Sequence, residues 1–559
     1  MMMKRLILVF SMLVITMHIV AQVPTALWGK AVQGTLGSMV TSQGADIQMA
    51  PDGGVYISGG AGTKTLEDII RFGNDQIAAP ATEYKGNGNT GTQNLFVAKV
   101  AADGTPQWTV YSKNGHVMSG SAYIQPVTDG LMVVFGIQHP TKLLTNTVSI
   151  VDALNQVTDL QWTLAEDDKN YYRLVVMKLN QNGALQWVRQ VEADHTAKTD
   201  GFSLNAVQVD EAGNVLIGGQ QKATLYWPKA DGTTATLEVS ANGADFLLVK
   251  IDQDGFYQDR FQLSGSLLSA NVRDIKYFKD RFYLTGIVKG AASTEFSVGT
   301  QKLMLANGFE SLLMVSLNSD LTVNWAKVYD SKKNFNMQQT TLYANPRELW
   351  LAGMADISLT TKAGKDLTIG ENMNRVGTVL KFDITNGDML DGYLKPLFQS
   401  GYFALFEDSE GMLYAAGYPG VFSGSSNPNK REIAGGLFID KFSPDNLSAP
   451  ISSWEDVIKN VGSPQGIAYT ADGHLYTLTR STSTANYIGS SSMIIQDVAA
   501  FCCNVCLFRL PVSLVTAIRE IKGNSQPVID GYWYNLNGQR VELPKKGIYI
   551  QNGKKVVVD

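Results

Sequence analysis

Histidine and cysteine are nearly missing from this chain: five and three residues out of 559. His18, His116, His139, His195 and His474 stand singly, without the i, i+4 pairing of a zinc-binding helix. His474 lies in a turn-to-strand step, "ADGHLY", where sibling copies carry Asn214 or Met412. All three thiols fall in "FCCNVC", as Cys502, Cys503 and Cys506, so at least one stays free. In an extended strand Cys502 and Cys506 share a face but sit too far apart to bridge. A Cys503–Cys506 bond requires a turn at Asn504-Val505, and no nearby histidine completes a metal set. Buried strand thiols are the plainest reading.

Charge is scarce too, at 17% of residues, with 46 basic against 51 acidic side chains and a formal net charge of −5. No basic run exceeds short pairs such as Lys545-Lys546, which gives no reason to expect nucleic acid. One apolar run, from Leu6 to Val20, follows Lys4 and Arg5, and it is too short for a membrane span. It reads as a signal peptide over residues 1–22, cleaved after Ala21 or Gln22, with no cysteine there to take a lipid. The nucleophile elbow G-x-S-x-G and the Walker-type glycine loop are absent.

What the chain has is glycine, 53 residues against 17 prolines, with 22 Tyr, 22 Phe and 9 Trp. Glycine turns between aromatic and β-branched segments predict an all-β fold. The segments repeat. "ADIQMAPDGGVYISGG" (45–60) holds a strand, a turn at Asp52-Gly53-Gly54 and a second strand. Copies follow at 122–136, 204–219, 272–286, 340–353, 402–417 and 465–478. A partner element, "NLFVAKVAADGTPQW" (94–108), recurs in step. Its basic or polar position falls at Lys99, Lys178, Lys250, Ser316, Lys381, Lys441 and Arg509. Four strands per unit and seven units predict a single seven-bladed β-propeller over residues 23–511. "ALWGKAVQG" (26–34) matches the Trp-bearing strand of later units, as in "VNWAKVYD" (323–330), whereas the last unit lacks its own copy. An N-terminal strand completing that unit closes the ring and hides two sheet edges.

"TEFSVGTQKLMLANGFESLLMVSLNSDLTVNWAKVYD" (294–330) best carries a pattern that resembles the SBBP-type β-propeller repeats of exported bacterial proteins. The likeness covers residues 26 to 510 and implies blade architecture, not an activity. After a linker at 512–528, the tail 529–559 resembles the C-terminal sorting tails of Bacteroidetes proteins exported by type IX secretion. The match lies in "YNLNGQRV", in Gly547-Ile548-Tyr549 and in Lys554-Lys555-Val556-Val557-Val558. The resemblance implies a secreted or cell-surface protein, with the periplasm as the alternative address. A small capping β-element is the alternative reading of the tail.

Most acids fall where turns need them: Asp52, Asp103, Asp129, Asp254, Asp408 and Asp472. Glu166-Asp167-Asp168 lies in an insert and reads as a solvated loop. "DQDG" (252–255) hints at calcium but lacks the further oxygen ligands of a full loop. Trp28, Trp108, Trp187 and Trp325 recur with the repeat and read as packing between blades. Trp162 and Trp227 do not recur, and as insert aromatics they are candidates to stack on a saccharide. The expectation is a non-catalytic exported protein that binds a saccharide or protein partner through its loops. The alternatives are a propeller glycosidase or polysaccharide lyase, marked by non-turn acids converging on one mouth with a raised pKa, and a structural envelope component.

Overall fold

The computed structural model describes residues 20–21, 27–33, 43–61, 70–72, 75–78, 94–113, 116–138, 147–161, 172–194, 201–240, 245–331, 335–370, 373, 375–418, 437–456, 461–470, 473–481, 485–488, 491–494, 504–511, 533–534, 540–541, 547–551 and 554–558. The expected signal peptide as far as residue 19, Trp162, Glu166-Asp167-Asp168, His139, His195, Asp472, Cys502, Cys503 and the expected linker at 512–528 lie outside them. The chain is all-β, with no helix among the described residues. No helix long and apolar enough to cross a membrane is present among them. Two compact units divide it, Met1–Val512 and Ser513–Asp559. The second carries one four-stranded antiparallel sheet, ordered Arg540–Val541, Trp533–Tyr534, Gly547–Gln551 and Lys554–Val558.

In the first unit the repeat becomes seven sheets, each with an antiparallel four-strand body, and the sixth also carries Val20–Ala21 parallel to Ser452–Asp456. The leading strands are Gln43–Met49, His116–Val127, Phe202–Val209, Ser269–Phe278, Asn336–Ala344, Gly401–Glu407 and Val461–Tyr469. Second and third strands follow in chain order, and the third strands read as near-continuous apolar runs. Ser311–Asn318 is buried at seven consecutive positions. A strand covered on both faces needs such a run, whereas the fourth strands, such as Pro106–Lys113, alternate and stay half-exposed.

The seventh sheet takes its fourth strand from the other end of the chain. Trp28–Gln33 pairs antiparallel with Asn504–Pro511, Trp28 opposite Arg509 and Lys30 opposite Leu507. Asn504 and Val505 are extended in this strand, so the turn that a Cys503–Cys506 bond requires is not made.

Consecutive sheets pack face to face. Separate apolar clusters join the first sheet to the second, the second to the third, and so on to the sixth. Phe406 stacks on Tyr469 between the sixth and seventh, with ring centroids 4.1 Å apart. A further cluster joins Tyr476, Leu478 and Leu507 of the seventh sheet to Ile47, Val55 and Ile57 of the first. Leading strands touch in the same order, and the seventh touches the first.

Tryptophan seats one sheet on the next. Trp108, on a fourth strand, donates its Nε1–H to the Gln181 carbonyl at 2.9 Å in the following sheet. Trp325 does the same to Ile384 at 3.1 Å, and Trp28 to Ala102 at 2.9 Å. Under each ring lies a left-handed glycine: Gly183, Gly387 and Gly104 at φ +78°, +76° and +87°. A Cβ there would stand 2.5 to 2.8 Å from the indole. The repeated tryptophans are therefore packing residues, as their periodicity predicts, and Trp28 seats the seventh sheet on the first.

Candidate functional site

The lysines of the third strands index the whole array. Lys99 pairs with Asp52 at 2.6 Å, Lys178 with Asp129 at 2.9 Å, Lys250 with Asp210 at 3.7 Å, Lys381 with Glu348 at 2.7 Å and Lys441 with Asp408 at 3.2 Å. Four of these acids sit at the turn between leading and second strands of the same sheet, and Glu348 is the first residue of its second strand. The cation also rides over an aromatic ring of the second strand at Tyr56, Trp350 and Tyr414. In the seventh sheet Arg509 lies over Tyr476 and donates to the Ala102 carbonyl at 2.9 Å. These acids are committed to the fold, which matches the turn reading of Asp52, Asp129 and Asp408. Asp103 likewise accepts from the Thr105 N–H of its own turn at 2.9 Å.

Counting across each sheet from that lysine position gives one leading-strand residue per sheet: Gln48, Gln125, Gln208, Lys276, Tyr343, Phe406 and Ala468. Two residues earlier lies a second row: Asp46, Tyr123, Ala206, Asp274, Thr341, Ala404 and Gly466. The pairing of leading and second strands is broken by a register shift just before it in six sheets and one residue earlier, between Val117 and Ala122, in the second. A bulge re-aims the extra residue, and here that places Asn205 and Arg273 out of the ladder. The first four sheets thus bring two acids, two cations and several carboxamides to adjacent rows.

Asp46 and Asp274 use the same geometry. Asp46 Oδ1 accepts from the Ile47 N–H at 2.8 Å and from Gln48 Nε2 at 3.1 Å. Its Oδ2 accepts from the Ile124 N–H of the next sheet at 3.0 Å. Asp274 accepts from the Ile275 N–H at 2.8 Å and, across to the next sheet, from the Leu342 N–H at 2.6 Å. Each carboxyl thereby ties two leading strands together. Burial pushes Asp46 up to about 6 against the pull of those hydrogen bonds. Asp274 is pushed up to about 7 by burial, with the Asp46 carboxyl adding to the rise and Lys276 opposing it. The field of Asp46 at Asp274 places acids from sheets three apart within electrostatic reach.

Asp46, Asp274 and Lys276 keep some accessible surface although protein surrounds them densely. Groups bordering a narrow enclosed space have both properties, and the dense surroundings set the electrostatic cost because such a space supplies little of bulk water's screening. Lys276 is held below the usual lysine range by that burial, with Asp274 partly offsetting it. Among the described residues it forms no ion pair. Arg273 is lowered by burial too, against the fields of Glu310 and, from the second sheet, Tyr123. Its Nε is shut from solvent without a hydrogen-bond partner. Carboxamides link neighbouring sheets: Asn205 Nδ2 donates to Asn271 Oδ1 at 2.6 Å and Gln208 Nε2 to Gln125 Oε1 at 3.5 Å.

The sequence candidates fare differently. Trp227 is 0% exposed, packed with Phe202, Leu225 and Leu237, which corrects the expectation of a surface platform. It lies on the hairpin strand Leu225–Pro228, whose alternation turns Tyr226 outward and Trp227 inward. Trp162 is outside the described residues. Asp252 of the "DQDG" tetrad spends both oxygens locally, on the Asp254 and Phe256 N–H groups and on Gln258 Nε2. No cluster of metal-ligating side chains occurs among the described residues. A second charged group, Lys395 with Asp440 at 2.7 Å and Tyr402 on Asp440 at 2.6 Å, is sealed in the core, where no ligand reaches it.

Reasoning from turns passed over Asp46 and Asp274, although a signal was present. "ADIQ" and "RDIK" occupy the same place in the first and fourth copies of the repeat, and neither acid adjoins a glycine.

No protein-family model matches this chain, and no curated protein does. Among solved structures it is similar to "A subtype N10 neuraminidase-like protein of A/little yellow-shouldered bat/Guatemala/060/2010", at 9% identity over 70% of this chain and 95% of that one, with a TM-score of 0.30. It is similar to the streptogramin B lyase structure at 12% identity, over 71% of this chain and 98% of that one, with a TM-score of 0.29. The plexin A4 extracellular region is similar at 9% identity and a TM-score of 0.37, over 85% of this chain and 47% of that one.

Proposed function

We propose that the protein is an exported, closed seven-bladed β-propeller that binds a polar ligand without transforming it. Closure is supported by the contact of the seventh sheet with the first and by Trp28, seated on Gly104 as Trp108 is on Gly183. In such a ring the leading strands line the axis, and their polar rows are the ligand-facing surface. The lead of "MMMKRLILVF" and the sorting-like tail support export, to the cell surface or medium.

One observation carries the non-catalytic reading. The two acids that converge, Asp46 and Asp274, hold both carboxylate oxygens against backbone N–H groups of two sheets. A general acid or nucleophile has to meet the substrate, and these are spent on holding strands together. A second reading, a propeller glycosidase or lyase, is favoured by their raised pKa values and mutual reach, because acid–base pairs are tuned that way.

Incubating the purified chain with a panel of neutral and acidic oligosaccharides, followed by affinity and chain-length measurement, separates the readings. Binding with unchanged chain lengths is the expected result. Shortened or unsaturated products would replace it with the enzymatic reading, and retention of a protein partner alone, with no saccharide, would end the small-ligand version.

A further inference from the structure

The two acids and two cations gathered here form no direct ion pair with one another among the described residues. Lys276 has no ion pair among the described residues and Arg273 leaves its Nε unsatisfied, while Asp46 and Asp274 are taken up by backbone N–H groups. Asp274 and Glu310 act on these cations through their fields, but neither closes an ion pair with them, and a buried cation left without a contact anion is costly unless something else supplies one. Their neighbours narrow down what that is. Gln48, Gln125 and Gln208 stand in the same row as Lys276 on the three preceding sheets, all half-buried. A carboxamide both donates and accepts, so a row of them suits a molecule rich in hydroxyls. An ammonium donates only, and suits an anion. The remaining sheets put Tyr343, Phe406 and Ala468 in that row, so the opposite side is aromatic and apolar.

We infer that the rows bind a sugar acid, its carboxylate held between Lys276 and Arg273 and its hydroxyls by Gln48, Gln125 and Gln208. The inference rests on the proposed ring and its binding role, and deepens it by naming the ligand class. Asp46 and Asp274 belong to the scaffold of this site, since they fix the strands that present the amides.

Calorimetry on the full chain at neutral pH tests it, with glucuronate and galacturonate as probes and their uncharged amides as controls. The expected result is that a uronate binds and its amide binds at least tenfold more weakly. Lys276→Gln, which extends the carboxamide row, is expected to erase that preference while leaving thermal unfolding intact. The comparison of acid with amide on the natural chain decides the matter even if the variant fails to fold. Equal binding of acid and amide would overturn the anion site and leave the saccharide-binding reading standing. A preference that survives Lys276→Gln would place the anion elsewhere. If neither sugar acid binds while other glycans of the panel do, the ligand class falls and the function stands; if no glycan binds, both fall.

Discussion

At the scale of single residues, two glycines separate conformation from space. Gly183 has φ +78° and a Cβ there would lie 2.7 Å from both the Trp108 ring and Ala153 Cβ. Gly232 has φ +81° and nothing within 4 Å. Gly232→Ala therefore bears only the left-handed backbone cost, about 1–2 kcal/mol. Gly183→Ala adds overpacking against the tryptophan seat, for a total of about 2–4 kcal/mol. Urea unfolding of both variants checks the difference, and equal losses would mean that the seat is loose. Asp46 and Asp274 set a pH dependence. A carboxyl whose folded pKa exceeds its unfolded value binds its proton more tightly when folded, so its contribution is complete below the unfolded value and is lost as pH climbs through the folded one. The window runs from 3.8 up to about 6 for Asp46 and about 7 for Asp274. Stability measured between pH 4 and 8 should fall across that window in the natural chain and fall less in Asp274→Asn. Equal slopes would show that Asp274 titrates normally.

Among elements, the turn acids of the sheets differ in what their lysines protect. Asp408 is nearly sealed, with its side chain 3% exposed, whereas Asp129 is 69% exposed. Lys441→Met leaves a buried charge without its cation and should cost about 3 kcal/mol. Lys178→Met strands an acid that water already solvates and should cost about 1 kcal/mol or less. Denaturant midpoints of the two variants give the comparison, and a larger loss at Lys178 would contradict it. The four-strand bodies were legible in the sequence because alternation recurs in all seven copies and glycine marks the turn in most of them, Lys279-Asp280 and Asn345-Pro346-Arg347 taking its place in the fourth and fifth. The hairpins built from the inserts were not, since each insert has its own sequence. Thr147–Val151 with Val157–Gln161 and Leu225–Pro228 with Thr234–Leu237 extend the first and second sheets outward. That pairing buries Trp227, and no repeat pattern signals which face of a lone hairpin turns inward. The polar rows were half legible. "DIQ" and "DIK" could be aligned from the repeat, yet only the register across three strands brings Gln48, Gln125, Gln208 and Lys276 into one row.

For the molecule as a whole, the proposed ring is what makes the rows a site. Strands from sheets three apart meet only if every sheet between them packs in order and the last returns to the first. That return rests on one strand, Trp28–Gln33, which supplies the outer edge of Asn504–Pro511 and the indole that sits over Gly104. The sequence showed this strand as a copy without a unit and the last unit as missing one, so closure was expected before any geometry. The direct measurement is thermal unfolding of a chain lacking residues 27–33, with and without a synthetic peptide of those residues. A marked drop in Tm, restored by the peptide, is the predicted result. An unchanged Tm in the shortened chain would contradict closure, and with it the convergence on which the binding site depends.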